Sequence, residues 1–126
     1  MKKVYIVDDS QLVRQRLIEL LSEVQDVQIV GQTGDPFGVL KAIHELGPDA
    51  VILDIRLPGR SGIEVLKDIE REKPETIVIM LTDYAYPQYR KESIASGADH
   101  FLNKGTEFYK VSELLEDLVK KSHVCE

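Results

Sequence analysis

Short apolar runs alternate with stretches of helical spacing along the whole chain. Val4-Tyr-Ile-Val7 is apolar throughout and ends in Asp8-Asp9. Ser10 is a good N-cap, and Val13, Leu17, Leu20, Leu21 and Val24 then recur on one helical face. Val27, Ile29 and Val30 predict a second strand closed by Gly31. Asp35-Pro36 is a cap followed by a first-turn proline, and Phe37, Leu40 and Ile43 give the stripe of a second helix that Gly47-Pro48 stops. Ala50 to Leu53 is a continuous apolar run fenced by Gly47-Pro48 and Pro58-Gly59, the pattern of a strand buried on both faces.

The second half repeats the alternation. Ser61-Gly-Ile-Glu64 reads as a capping box opening a helix through Leu66 and Ile69. Ile77 to Leu81 predicts the fourth strand, ending in Thr82. Pro87 to Ser96 predicts a helix with a weak stripe of Tyr89, Ile94 and Ala95. His100-Phe-Leu102 predicts the fifth strand, leading to Asn103-Lys104. Thr106 is placed as the cap of a last helix with the stripe Val111, Leu114, Leu115, Leu118 and Val119. Strand–helix alternation implies an α/β fold: one parallel sheet with helices on both faces and right-handed crossovers. For five such units the expected strand order is the flavodoxin-like 2-1-3-4-5, in a single domain over residues 1–126.

Composition narrows the function. A formal net charge of -6 argues against direct nucleic-acid binding by this domain and suits a cation site. The opening segment is neither a signal peptide nor a membrane span. The single cysteine, Cys125, cannot form an internal disulfide, so a cytoplasmic location is expected, with Cys125 in a frayed tail.

The candidate chemistry lies where strands end. Asp8 and Asp9 follow the first strand, Asp54 the third, Thr82 the fourth and Lys104 the fifth, and the expected topology gathers them at one sheet edge. Close carboxylates repel, and a divalent cation relieves that cost. Mg²⁺ (or Mn²⁺) fits: Asp9 as a direct ligand, Asp8 through water, one Asp54 oxygen, and the backbone carbonyl of Arg56. The other Asp54 oxygen is then a nucleophile for phosphorus, with Lys104 and Thr82 stabilising the phosphoryl oxygens.

Four motifs in order carry a resemblance: Val-Asp-Asp-Ser at 7–10, Asp-Ile-Arg-Leu-Pro-Gly-Arg-Ser-Gly at 54–62, Leu-Thr at 81–82, and Gly-Ala-Asp-His-Phe-Leu-Asn-Lys at 97–104. The chain resembles, over essentially its whole length, the receiver domain of two-component response regulators. The resemblance implies phosphorylation at Asp54, an acidic metal pair at Asp8 and Asp9, switch roles for Thr82 and Phe101, and the family's lysine at Lys104. It also implies a sensor histidine kinase or phosphotransfer protein as donor, and a response at the face of the fourth helix, fifth strand and last helix. A downstream effector, an output domain of the same protein and a phosphorylation-linked homodimer are the implied recipients. The loop before Gly62 resembles those of regulators with a helix-turn-helix domain, leaving a stand-alone receiver and the front end of a longer regulator both open. The implied protein is a switch that catalyses its own phosphorylation and dephosphorylation, not an enzyme turning over a separate substrate.

Two departures from the family pattern stand out. Gly105 follows Lys104 where many receivers have proline, and Asp83 follows Thr82 where a small residue is common. They keep alive the alternative of a phosphorylation-independent receiver-like interaction module. A phosphatase would place its acids at alternate positions, and a flavodoxin would need a phosphate loop after the first strand; neither pattern is present.

Overall fold

The computed structural model describes residues 1–124, so the expectation for Cys125 falls outside the described residues. The sheet is parallel, with the order β2-β1-β3-β4-β5. Its strands are β1 (Lys2–Val7), β2 (Val27–Thr33), β3 (Ala50–Leu53), β4 (Ile77–Thr82) and β5 (His100–Asn103). The helices are α1 (Gln11–Leu21), α2 (Val39–Leu46), α3 (Gly62–Glu72), α4 (Pro87–Ala95), a one-turn α5 (Lys104–Glu107) and α6 (Lys110–Val124).

Period-two alternation divides the strand residues between two cores. Tyr5, Val7, Val51, Leu53, Val78, Met80 and Phe101 pack with Val39 and Ile43 of α2 and with Ile63, Leu66 and Ile69 of α3. Val4, Ile6, Ala50, Ile52, Ile79, Leu81 and Leu102 pack on the other face with Leu17 and Leu21 of α1 and Val111 and Leu115 of α6. Both faces of β3 are therefore buried, as its continuous apolar run requires.

Local details depart from the sequence expectation, each for a physical reason. Gly31 does not close β2: the strand runs on to Thr33, with a register shift opposite Val4 and Tyr5. The glycine makes room for an aromatic ring, since a Cβ there would stand 2.8 Å from Tyr5 Cε1. The capping box at α3 forms only in part. Ser61 Oγ accepts from Ile63 N–H, but Glu64 turns its carboxylate to Arg60 at 3.4 Å. Asp35 caps a 3₁₀ turn (Pro36–Gly38) ahead of α2, which leaves Phe37 66% exposed and outside the expected stripe. In α4 it is Ser93 that is buried and Ile94 that is exposed. Thr106 does not cap the last helix: it lies inside α5, which Asn103 caps by accepting from Gly105 N–H at 2.8 Å, and the helix with the predicted stripe begins at Lys110. Proline at 105 would lack that donor.

Candidate functional site

Parallel pairing sets the site. Val7 is in register with Leu53, so the next residues, Asp8 and Asp54, emerge side by side where β1 and β3 end. Thr82 is in register with Asn103, which puts Lys104 one step beyond the same edge. The Lys104 side chain reaches back across the sheet edge. Its Nζ lies 2.6 Å from Asp8 Oδ2 and 2.8 Å from Asp54 Oδ2.

Both acids are buried, at 2% and 5% exposure, while Asp9 is exposed. Asp54 is held on both oxygens, Oδ1 accepting from Ile55 N–H at 2.7 Å and Oδ2 from Lys104. One carboxylate oxygen from each of Asp8, Asp9 and Asp54 falls within 4.8 Å of the others. Burial pushes the Asp8 carboxyl up, more than its hydrogen bonds from Lys104 and Ser10 lower it. Burial would lower the Lys104 ammonium, but its hydrogen bonds to Asp54 and Asp8 outweigh that and raise it. Lys104 is thus a fixed cation shared by two carboxylates, and Asp9 is the acid left open to solvent.

An all-oxygen donor set of this compactness fits a hard divalent cation, which takes carboxylate and water oxygens at short range. The buried acids carry more negative charge than one ammonium offsets, which favours a second cation.

The remaining predicted residues surround this centre. Thr82 is fully buried, and its hydroxyl accepts from Tyr84 N–H at 3.0 Å. Phe101 is buried on β5 under α4, with the Arg90 guanidinium 5.8 Å from its ring centroid. Arg56 lies two residues beyond Asp54, and its guanidinium sits 4.2 Å from the Tyr84 ring centroid. Asp83, the acid that departs from the pattern, is exposed.

Three contributors carry no clear signal in the sequence. Gly62 begins α3 directly against the Asp54 main chain; a Cβ there would stand 1.8 Å from the Asp54 carbonyl oxygen. Arg14 of α1 donates to the Asp8 carbonyl oxygen at 2.5 Å, and Gln32 accepts from Arg14 Nε at 2.8 Å. An arginine on the polar side of a helix looks like a solvated charge until the neighbouring loop is placed. The glycine of the Asp54–Gly62 motif was a hint, but only the fold reveals what it must clear.

Known proteins share this fold and sequence pattern. The family model of the response regulator receiver domain matches residues 4–116. The DNA-binding transcriptional activator DevR/DosR of Mycobacterium tuberculosis is 29% identical over 94% of this chain and 54% of its own length. A protein-glutamate methylesterase/protein-glutamine glutaminase of Methanospirillum hungatei is 34% identical over 99% of this chain and 37% of its own. The crystal structure of the response regulator domain of Thermotoga maritima CheB superposes with a TM-score of 0.83 at 29% identity, covering 96% of this chain and 95% of that one. The chain spans about half the length, or less, of these full-length relatives. Among the described residues no helix is long and apolar enough to cross a membrane.

Proposed function

The chain belongs to the response regulator receiver family, and from that premise we propose that Asp54 is its phosphoacceptor, working with Asp8, Asp9, Thr82 and Lys104. The observation that carries this reading is the convergence of three carboxylates within 4.8 Å, with Lys104 Nζ 2.8 Å from Asp54. The donor is the phosphohistidine of a sensor kinase or phosphotransfer protein. An Asp54 oxygen forms the new O–P bond as the P–N bond breaks, and the leaving imidazole retains the electron pair and takes up a proton.

Asp8, Asp9, Asp54 and the Arg56 carbonyl would hold Mg²⁺ or Mn²⁺, which when bound offsets charge on the phosphoryl oxygens. Lys104 contributes a second positive charge, already positioned by its two carboxylate contacts. The Thr82 hydroxyl accepts from Tyr84 N–H, so its own proton is available for a phosphoryl oxygen. Drawing Thr82 toward Asp54 loads the β4–α4 loop through that bond. Phe101, packed between β5 and α4, then transmits the change by packing alone, since it has no hydroxyl. The response surface is the α4–β5–α6 face, and the recipient is an effector, an output domain or a second copy of the chain. A cytoplasmic setting follows from the kinase-linked role.

The test is mass spectrometry after incubation with acetyl phosphate and Mg²⁺, with the modified residue mapped. The expected result is a single added phosphoryl group on Asp54, absent without Mg²⁺ and absent in Asp54→Asn. Modification elsewhere, or an unchanged yield in the variant, overturns the assignment.

A further inference from the structure

Asp8 is the most completely constrained residue of the site. Its N–H donates to Thr33 O at 3.0 Å, its Oδ1 accepts from Ser10 N–H at 2.9 Å, and its Oδ2 accepts from Lys104 at 2.6 Å. Its carbonyl oxygen accepts from Arg14 Nη1 at 2.5 Å. The same guanidinium donates from Nε to Gln32 Oε1 at 2.8 Å, so Arg14 is held by β2 while it holds the turn after β1. Gly34 borders the path. A Cβ there would lie 3.0 Å from Arg14 Nη1, 3.3 Å from Asp9 Cα and 3.4 Å from the Asp8 carbonyl oxygen. Position 34 is therefore kept bare beside the guanidinium and the acid pair alike.

We propose that Arg14, oriented by Gln32 and admitted by Gly34, is a positioning residue that fixes the main chain from which the Asp8 and Asp9 carboxylates project. It thereby sets the affinity of the acid pair for a divalent cation. This rests on the reading that Mg²⁺ binds at that pair. The role is geometric. A positive charge beside the pair opposes a second cation by Coulomb's law, so charge alone would weaken Mg²⁺ binding and its removal would tighten it. What the guanidinium supplies is a rigid fork with two donors, one aimed at the turn after β1 and one at β2, which a lysine ammonium does not reproduce. Hydrogen-bond partners that orient metal ligands typically govern affinity by about 10–100-fold.

The experiment is calorimetric titration of the unphosphorylated full chain with Mg²⁺, paired with thermal unfolding of each variant. Arg14→Ala and Arg14→Lys are each expected to weaken Mg²⁺ binding about tenfold, near the low end of that range. Gln32→Ala weakens it in the same direction by less, and the double variant Arg14→Ala/Gln32→Ala is no worse than Arg14→Ala, because both changes cut one linkage. Gln32 is exposed, so its variant keeps the test alive should the Arg14 variants fail to fold. Wild-type affinity in Arg14→Lys overturns the proposal, as does tighter binding in Arg14→Ala. A lowered melting temperature with unchanged affinity in Arg14→Ala also overturns it, reducing the residue to a structural tie. If the wild-type chain itself takes up no Mg²⁺, the metal reading falls and the proposal with it. If wild type binds and all variants bind equally, only the role of Arg14 falls.

Discussion

Replacing Gly62 by alanine drives a methyl group into the main chain of Asp54. The added Cβ would stand 1.8 Å from the Asp54 carbonyl oxygen, 2.8 Å from its carbonyl carbon and 3.0 Å from Ile55 Cα. Real contacts do not fall below 3.0 Å, so the two backbones must separate by at least 1.2 Å (3.0 minus 1.8). Neither side yields easily. Gly62 N–H is bonded to Ile55 O at 2.7 Å, and Asp54 N–H to Val7 O at 3.0 Å. Behind Gly62, α3 is anchored by buried Ile63, Leu66 and Ile69. Either α3 lifts off its core or Asp54 moves away from Lys104. Overpacking of this kind costs about 1–3 kcal/mol, and a misplacement of about 1 Å at a reacting group costs roughly 100-fold in rate. Urea unfolding of Gly62→Ala should therefore show a loss of about 3 kcal/mol, at the upper end because the obstacle is backbone. Labelling by acetyl phosphate, followed by intact mass, should slow by about 100-fold in the fraction that remains folded. Gly38→Ala is the control: nothing lies within 4 Å of a Cβ there, so both measurements should match wild type. A Gly62→Ala chain with wild-type stability and labelling rate would refute the close approach of α3 to Asp54.

Other perturbations test separate parts of the structure. Lys104→Ala leaves Asp8 and Asp54 buried without their shared cation, so chemical denaturation without Mg²⁺ should show a loss of about 3 kcal/mol, partly restored by millimolar Mg²⁺. Asp68 is buried enough to be pushed up, but Arg60 at 2.6 Å and Arg71 at 3.0 Å outweigh that and lower it. Its contribution to stability is present above the ordinary carboxylate pKa and is lost as pH falls through the lowered value. Asp68→Asn should flatten that acid limb in denaturation curves recorded between neutral and low pH. Among the described residues Ser93 Oγ, buried in α4, has no hydrogen-bond partner, so Ser93→Ala should raise stability by about 1 kcal/mol, measured by urea midpoint.

The architecture and the acid cluster were legible because each is written in local pattern. Apolar runs fixed β1, β3 and β4, and polar residues at their ends announced Asp8, Asp54 and Thr82. Once the strand order is known, register alone brings Asp8 beside Asp54. What stayed hidden depends on contact between segments far apart in the chain. The ring of Tyr5 explains Gly31, and the carbonyl of Asp54 explains Gly62, yet neither glycine reveals its neighbour in advance. Thr106 falls inside a separate one-turn helix that Asn103 caps through the Gly105 amide, a contact the apolar stripe of α6 does not announce. The stripe of α4 includes the exposed Ile94 and passes over the buried Ser93, because a helix with few apolar residues gives periodicity little to work with.

Lys104 offsets only part of the charge gathered at the sheet edge. Asp8, Asp9 and Asp54 bring three carboxylates together, against the Lys104 ammonium on two of them and the Arg14 guanidinium on the Asp8 main chain. Converting the Asp54 carboxylate to an acyl phosphate replaces one negative charge with about −1.5 to −2. The proposed phosphorylation of Asp54 would therefore add about 0.5 to 1 negative charge to the centre. Thr82, tied to the β4–α4 loop through the Tyr84 N–H, is the neutral donor that the proposed mechanism brings to that charge. On that reading the added charge, and not a partner, is what first draws Thr82 and its loop toward Asp54.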